Sequence, residues 1–156
     1  MSDQMKEAAI VHADAGSQVS VLGHGFRTLL SSADTRGDSY IFEVISPAGA
    51  FVPPHAHQHE DEYGYIAQGE YEIFLGDRTY EAQAGALLHF PRNIAHGFRN
   101  VGTTAGKTIW ISFPGVKVEA FFAELAALPA DAPPDMEKVG AIFARYDIQA
   151  FPPPAM

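Results

Sequence analysis

The chain contains no cysteine. Disulfides, thiolate nucleophiles and cysteine-bound zinc are therefore excluded, and any metal must be held by histidine and carboxylate. Positive charge is scarce: 10 Lys and Arg stand against 19 Asp and Glu, a formal net charge of −9. Such a chain repels phosphate backbones and anionic lipid, and no basic stripe reverses the sign locally. Nucleic acid and membrane are thus not expected partners. Long apolar runs are missing too, none approaching the length of a membrane span. The start, MSDQMKEAAI, has neither the cationic region nor the apolar core of a secretory signal, and the expectation is a soluble cytoplasmic protein.

What is present fits one globular domain with a sizeable core: 156 residues, 47% hydrophobic and 19% charged. From about Val19 to Phe113, short segments rich in Phe, Tyr, Ile, Val and Thr are broken by Gly, Pro, Asn or Asp. This pattern predicts strands in SVLGHGFRTLLS, SYIFEVIS, YGYIAQ, EYEIFLG, RTYEAQ, ALLHFP, HGFRN and KTIWISF. Many short strands with regular turns describe an all-β sandwich or barrel, with its core at about 19–114. After Pro114 the period changes. VEAFFAELAAL carries Phe121, Phe122, Leu125 and Leu128 at helical spacing, and Met136, Val139, Ile142, Phe143 and Tyr146 share the face of a second helix. These two helices form a C-terminal extension at about 116–148, and the tail AFPPPAM is expected to run extended over the surface.

The stretch PPHAHQHEDE, residues 53–62, concentrates the chemistry. His55 and His57 are two apart, so on a strand both side chains leave the same face. Glu62 follows after room for a tight connection and is expected opposite them on the next strand. His96, in PRNIAHGFRN, again follows a proline-containing turn and precedes an apolar strand. Together these residues would make a site of nitrogen and oxygen donors, suited to a divalent transition metal with positions left open. On these residues alone a pair of half-buried strand histidines is the better explanation of HxH, because short motifs recur by chance.

The surrounding residues carry a family pattern. GAFVPPHAHQHEDEYGYIAQG places Gly49, His55, His57, Glu62 and Gly69 in the spacing of the first cupin motif, which it resembles at every signature position. GALLHFPRNIAHGFRN, with Gly85, Pro91, His96 and Asn100, is similar to the second cupin motif, except that Asn93 stands where the family usually has glycine. Asparagine also tolerates a left-handed turn, so the turn should survive. The resemblance implies a double-stranded β-helix, a jelly-roll barrel, with His55, His57, Glu62 and His96 as ligands of one Fe, Mn, Ni, Co or Zn ion per chain. Glu60 and Asp61 are expected to be solvated acids, and His12 and His24 to have no special role. His59 is a weaker candidate for substrate contact or proton transfer, and His89 is expected to be structural.

From GHGFRTLLSS to the tail, the chain further resembles small bacterial cupins of the quercetin 2,3-dioxygenase-like group. That resemblance implies a dioxygenase acting on a flavonol or related enolic or phenolic small molecule, with dioxygen as co-substrate and Glu62 as catalytic base. Phe42, Phe51, Tyr65, Phe74, Phe98 and Trp110 are candidates for the pocket walls, Phe51 and Phe98 foremost. Alternatives are another metal-dependent enzyme (a lyase, decarboxylase or isomerase acting on a small acid) or a non-catalytic binder of small molecules. An anionic substrate would need a basic partner, for which Arg92 and Arg99 are the candidates, but Glu60 to Glu81 hold seven acids and one base. A homodimer is expected, since pairing through outer strands covers exposed sheet edges.

Overall fold

A computed structural model describes residues 7–152. Among the described residues, eleven strands and two helices follow one another. They are β1 (Gln18–Val21), β2 (His24–Leu30), β3 (Tyr40–Ser46), β4 (Phe51–His57), β5 (Asp61–Gln68), β6 (Glu70–Leu75), β7 (Arg78–Gln83), β8 (Leu87–Phe90), β9 (His96–Asn100), β10 (Gly106–Phe113), α1 (Val116–Ala126), α2 (Met136–Arg145) and β11 (Ile148–Ala150). The strands form two antiparallel sheets, ordered β1-β2-β3-β10-β5-β8 and β11-β4-β9-β6-β7. This is the jelly-roll arrangement expected from the motifs.

Alternation along the strands decides which side chains meet between the sheets. Phe42 and Val44 on β3, Ile66 on β5, Ile73 on β6, Phe98 on β9 and Trp110 on β10 are all buried there. Trp110 finds its place because β5 offers Gly64 opposite it: a Cβ on Gly64 would lie 2.5 Å from Trp110 Cζ3. Asn93 adopts φ +65°, so it supplies the left-handed turn for which glycine is the usual choice.

Two local expectations change. The stretch 20–31 is not one strand but a hairpin in which Val21 pairs with His24 around Leu22 and Gly23, both at positive φ. Leucine is an unusual turn residue, so its composition conceals the turn. The tail is not wholly a surface cover either: Ala150 pairs with His55 of β4, and the Phe151 amide bonds Pro54 O. Residues 153–156 lie outside the described residues.

The helices fall where their period places them. Asp135 caps α2 by accepting from the amides of Glu137 and Lys138. In α1, Val118, Phe121 and Leu125 are buried. Phe122 packs on Phe26 and Phe42 at 4.7 and 5.1 Å, so the helical extension lies against the open end of the barrel. Among the described residues no helix is long and apolar enough to cross a membrane.

Candidate metal centre

β4 and β9 are neighbours, and His55 and His96 are direct partners in their ladder. The two rings stand 4.5 Å apart, and His57 lies 5.1 Å from His55 and 5.6 Å from His96. Glu62 reaches this cluster from the opposite sheet, because β5 belongs to the six-stranded one. The chain after His57 therefore crosses the barrel instead of returning beside β4, which corrects the expected hairpin. One ligand atom from each of His55, His57, Glu62 and His96 lies within 4.8 Å of the others.

The donor set fits a cation. His55 Nδ1 lies 2.9 Å from Pro53 O and His96 Nδ1 lies 3.1 Å from Ile94 O. Each ring thus donates its Nδ1–H to a carbonyl two residues back and turns an unprotonated Nε2 toward the cluster, as metal-bound imidazoles do. His57 Nε2 is 2.8 Å from Glu62 Oε1, yet both of its ring nitrogens are buried without a hydrogen bond among the described residues. With His57 protonated, the two groups form a close buried ion pair. Burial, followed by the neighbouring His96 and His57, lowers the His55 pKa to about 3 and keeps that ring neutral. Burial also works against a proton on His57, but Glu62 and Glu60 outweigh it and raise its pKa to about 9. In the metal-free protein a proton on His57 thus supplies the positive charge that the buried carboxylate requires. Burial pushes the Glu62 carboxyl up, while His57 and His96 prevail and hold it well below the usual carboxylate range.

Two supporting residues escaped the sequence. Ser112 Oγ donates to Glu62 Oε2 at 2.9 Å and fixes the carboxylate, a contact that exists only because β10 pairs with β5 and sets these residues opposite each other. Glu60 is not solvated: it is 2% exposed, with Oε1 3.6 Å from His57 Nδ1 and no hydrogen bond to either oxygen among the described residues. Asp61 is tied up differently, in paired contacts of 3.1 and 3.0 Å with Arg92.

A cavity of about 630 Å³ opens onto the cluster and has His55, Glu62 and His96 in its wall. Phe51, Phe98, Phe42 and Trp110 line it, whereas Tyr65 and Phe74 do not. Tyr65 points to the outside of the sheet, and Phe74 packs edge-on against Phe51 behind the wall. The remaining wall is helical: Phe121, Phe122 and Leu125 of α1 face Val139 and Phe143 of α2. Neither Arg92 nor Arg99 is in the lining, and Arg99 instead lies over the outer face of the Phe51 ring at 4.6 Å. His59 is outside the cavity and bonds Asp147 Oδ2 at 3.0 Å, tying the β4–β5 turn to the end of α2. His89 stacks on Tyr63 at 4.8 Å on the outer face, and His12 is exposed. His24, for which the sequence offered no motif, is buried in the cavity wall.

Comparison with known proteins agrees with this architecture. The family described as "Cupin domain" matches residues 41–112, the span from β3 to β10 that holds all four cluster residues. The chain is similar to the polyketide synthase CurC of Streptomyces cyaneus, 28% identical over 89 residues, which cover 56% of this chain and 58% of that protein. The chain spans about half the length of the curated relatives it matches. Among solved structures it is similar to KdgF from Halomonas sp., with a TM-score of 0.63 at 20% identity over 69% of this chain and 94% of that one. It is also similar to the polyketide cyclase RemF from Streptomyces resistomycificus, with a TM-score of 0.59 at 22% identity over 69% of this chain and 80% of that one. With both histidine-bearing motifs folded onto one centre inside a jelly roll, residues 41–112 carry the match to the cupin domain, and the chain shares its fold with these solved structures.

Proposed function

We propose that this protein is a metal-dependent dioxygenase of a flavonol or a related planar enol or phenol. One observation carries the reading: the cavity above the four-residue cluster is walled by aromatic and aliphatic side chains, with no lysine or arginine among the described residues of its lining. An apolar planar molecule gains from burial there, and its enolic oxygen is the group that needs the polar end. A small dianionic acid would be stripped of water with no cation to meet it except a metal, which disfavours the decarboxylase alternative.

A bound divalent metal would supply Lewis acidity, lowering the pKa of an enolic or phenolic oxygen. His55, His57, Glu62 and His96 would hold it. Glu62, ionised and held at Oε2 by Ser112, is the group placed to accept the enolic proton at Oε1. Phe98, Trp110 and Phe121 exclude water and orient the ring system. Both atoms of dioxygen enter the product, so no external reductant is required.

A second reading has its own support. The similarity to RemF, a polyketide cyclase, and to CurC favours an enolisable polycarbonyl substrate that closes a ring without oxygen. The two readings share the enol and differ in oxygen use. The deciding experiment loads the protein with Fe, Mn, Ni, Co or Zn in turn and follows oxygen consumption and flavonol absorbance. Uptake that disappears in His96→Ala is expected. Absence of uptake with every metal and flavonol overturns the dioxygenase reading and leaves the cyclase reading or a non-catalytic binder.

A further inference from the structure

The cavity wall is apolar apart from very few atoms. Besides Trp110, whose indole N–H is spent on Thr108 Oγ1 at 2.8 Å, the lining side chains that carry nitrogen or oxygen among the described residues are His55, Glu62, His96 and His24. The first three belong to the metal centre. His24 does not. It starts β2, immediately after the Leu22–Gly23 turn, in the sheet opposite β4.

Its surroundings prepare it for a ligand. Ser46 Oγ lies 2.9 Å from His24 Nδ1, and Ser46 is itself fully buried. The ring stands edge-on to Phe98 at 6.1 Å, so its orientation is fixed by packing as well. Nε2 has only a long contact of 3.4 Å, to Phe51 O. At that length the bond is weak and readily exchanged for a better acceptor. Burial lowers the His24 pKa, so the ring is a neutral hydrogen-bonding group. With Nδ1 accepting from the serine hydroxyl, Nε2 carries the proton and is a donor.

Phe51 and His55 are four residues apart on β4, which at roughly 3.3 Å per residue, and with a bulge between Val52 and His55, separates the two polar positions by at most about 13 Å of strand. A molecule of two or three rings spans such a distance. We infer that His24 is a second polar subsite, whose Nε2–H binds an oxygen at the far end of a planar substrate whose enolic end sits at the metal centre. This inference rests on the enol-binding reading above and adds selectivity: substrates carrying a distal hydroxyl or carbonyl oxygen are preferred over otherwise identical ones that lack it.

The test uses protein loaded with Zn(II) under anaerobic conditions, so that binding is separated from turnover. Trp110, the single tryptophan, lines the cavity and reports occupancy by its fluorescence. The probes are 3-hydroxyflavone and its analogues with one further hydroxyl at the 4′ or the 7 position. Wild type is expected to bind at least one analogue about tenfold more tightly than 3-hydroxyflavone, as a buried hydrogen bond to a fixed donor allows. His24→Leu should abolish that preference, and His24→Gln, with an amide N–H near Nε2, should restore part of it. In wild type with ¹⁵N-labelled histidine, the preferred analogue should shift the His24 Nε2 resonance and 3-hydroxyflavone should not, a readout that needs no variant. No preference in wild type, or one that persists in His24→Leu, overturns the subsite. Failure of 3-hydroxyflavone itself to bind overturns the enol reading and the subsite with it.

Discussion

At the scale of single residues, three hydrogen bonds fix three of the four side chains that converge on the candidate centre. The Nδ1–H of His55 and of His96 is held by a backbone carbonyl, and Glu62 is held by Ser112. Ser112→Ala leaves a buried carboxylate oxygen without its donor, so the variant should lose about 1–3 kcal/mol in urea unfolding of the metal-free protein. An unchanged midpoint would show that the serine holds nothing. The His57 pKa of about 9 sets a pH dependence. At neutral pH the metal-free site carries that proton and must shed it to bind a metal. Zinc affinity should therefore climb as pH rises toward about 9, by about tenfold per pH unit for one proton released, and then level off. A competition titration across that range that gives a flat profile would contradict this. The fold of the metal-free protein has the opposite dependence. A raised histidine pKa stabilises fully below the ordinary histidine value, and that contribution is lost as pH rises through about 9.

At the scale of elements, the helices after the barrel are part of the site. α1 and α2 supply Phe121, Phe122, Leu125, Val139 and Phe143 to the cavity wall, with Phe121 and Phe143 in edge-on contact at 5.1 Å. α2 is held at its start by Asp135, whose side chain caps two amides behind a proline-rich connection. Asp135→Ala should cost about 1 kcal/mol of stability, read by urea unfolding, because those amides lose their acceptor. The same variant should bind 3-hydroxyflavone more weakly, since α2 carries wall residues. Weakened folding with unaltered binding would separate α2 from the cavity's function.

At the scale of the molecule, the outer face of the six-stranded sheet bears an apolar row. Ile109 pairs with Tyr65, Tyr65 pairs with Leu87, and the latter two are 48% and 70% exposed. Leu87 lies on β8, the edge strand of that sheet. We propose that a second copy covers this face. Light scattering after size exclusion is expected to give the mass of a dimer, and Leu87→Glu that of a monomer, because a buried charge without a partner opposes association. A monomeric wild type removes the proposal.

The sequence by itself determined the strand-rich barrel and the two C-terminal helices, and its resemblance to the cupin motifs singled out the four residues that the fold brings together. Each of these is written in local periods and spacings: alternation for strands, helical recurrence near residues 116–146, and His55, His57, Glu62 and His96 within two compact motifs. The tertiary structure alone decided the rest, because the rest depends on pairing between distant segments. Burial of Glu60 follows from the chain crossing between sheets, and Ser112 meets Glu62 through the β5–β10 register. Tyr65 faces outward because alternation fixes two faces without saying which is the inner one. His24 enters the cavity because a leucine–glycine turn breaks what reads as one strand and places the histidine at the start of the next. Which side chains could hold a metal is a matter of residue type and spacing, whereas the shape of the cavity is set by which strands and helices pack together.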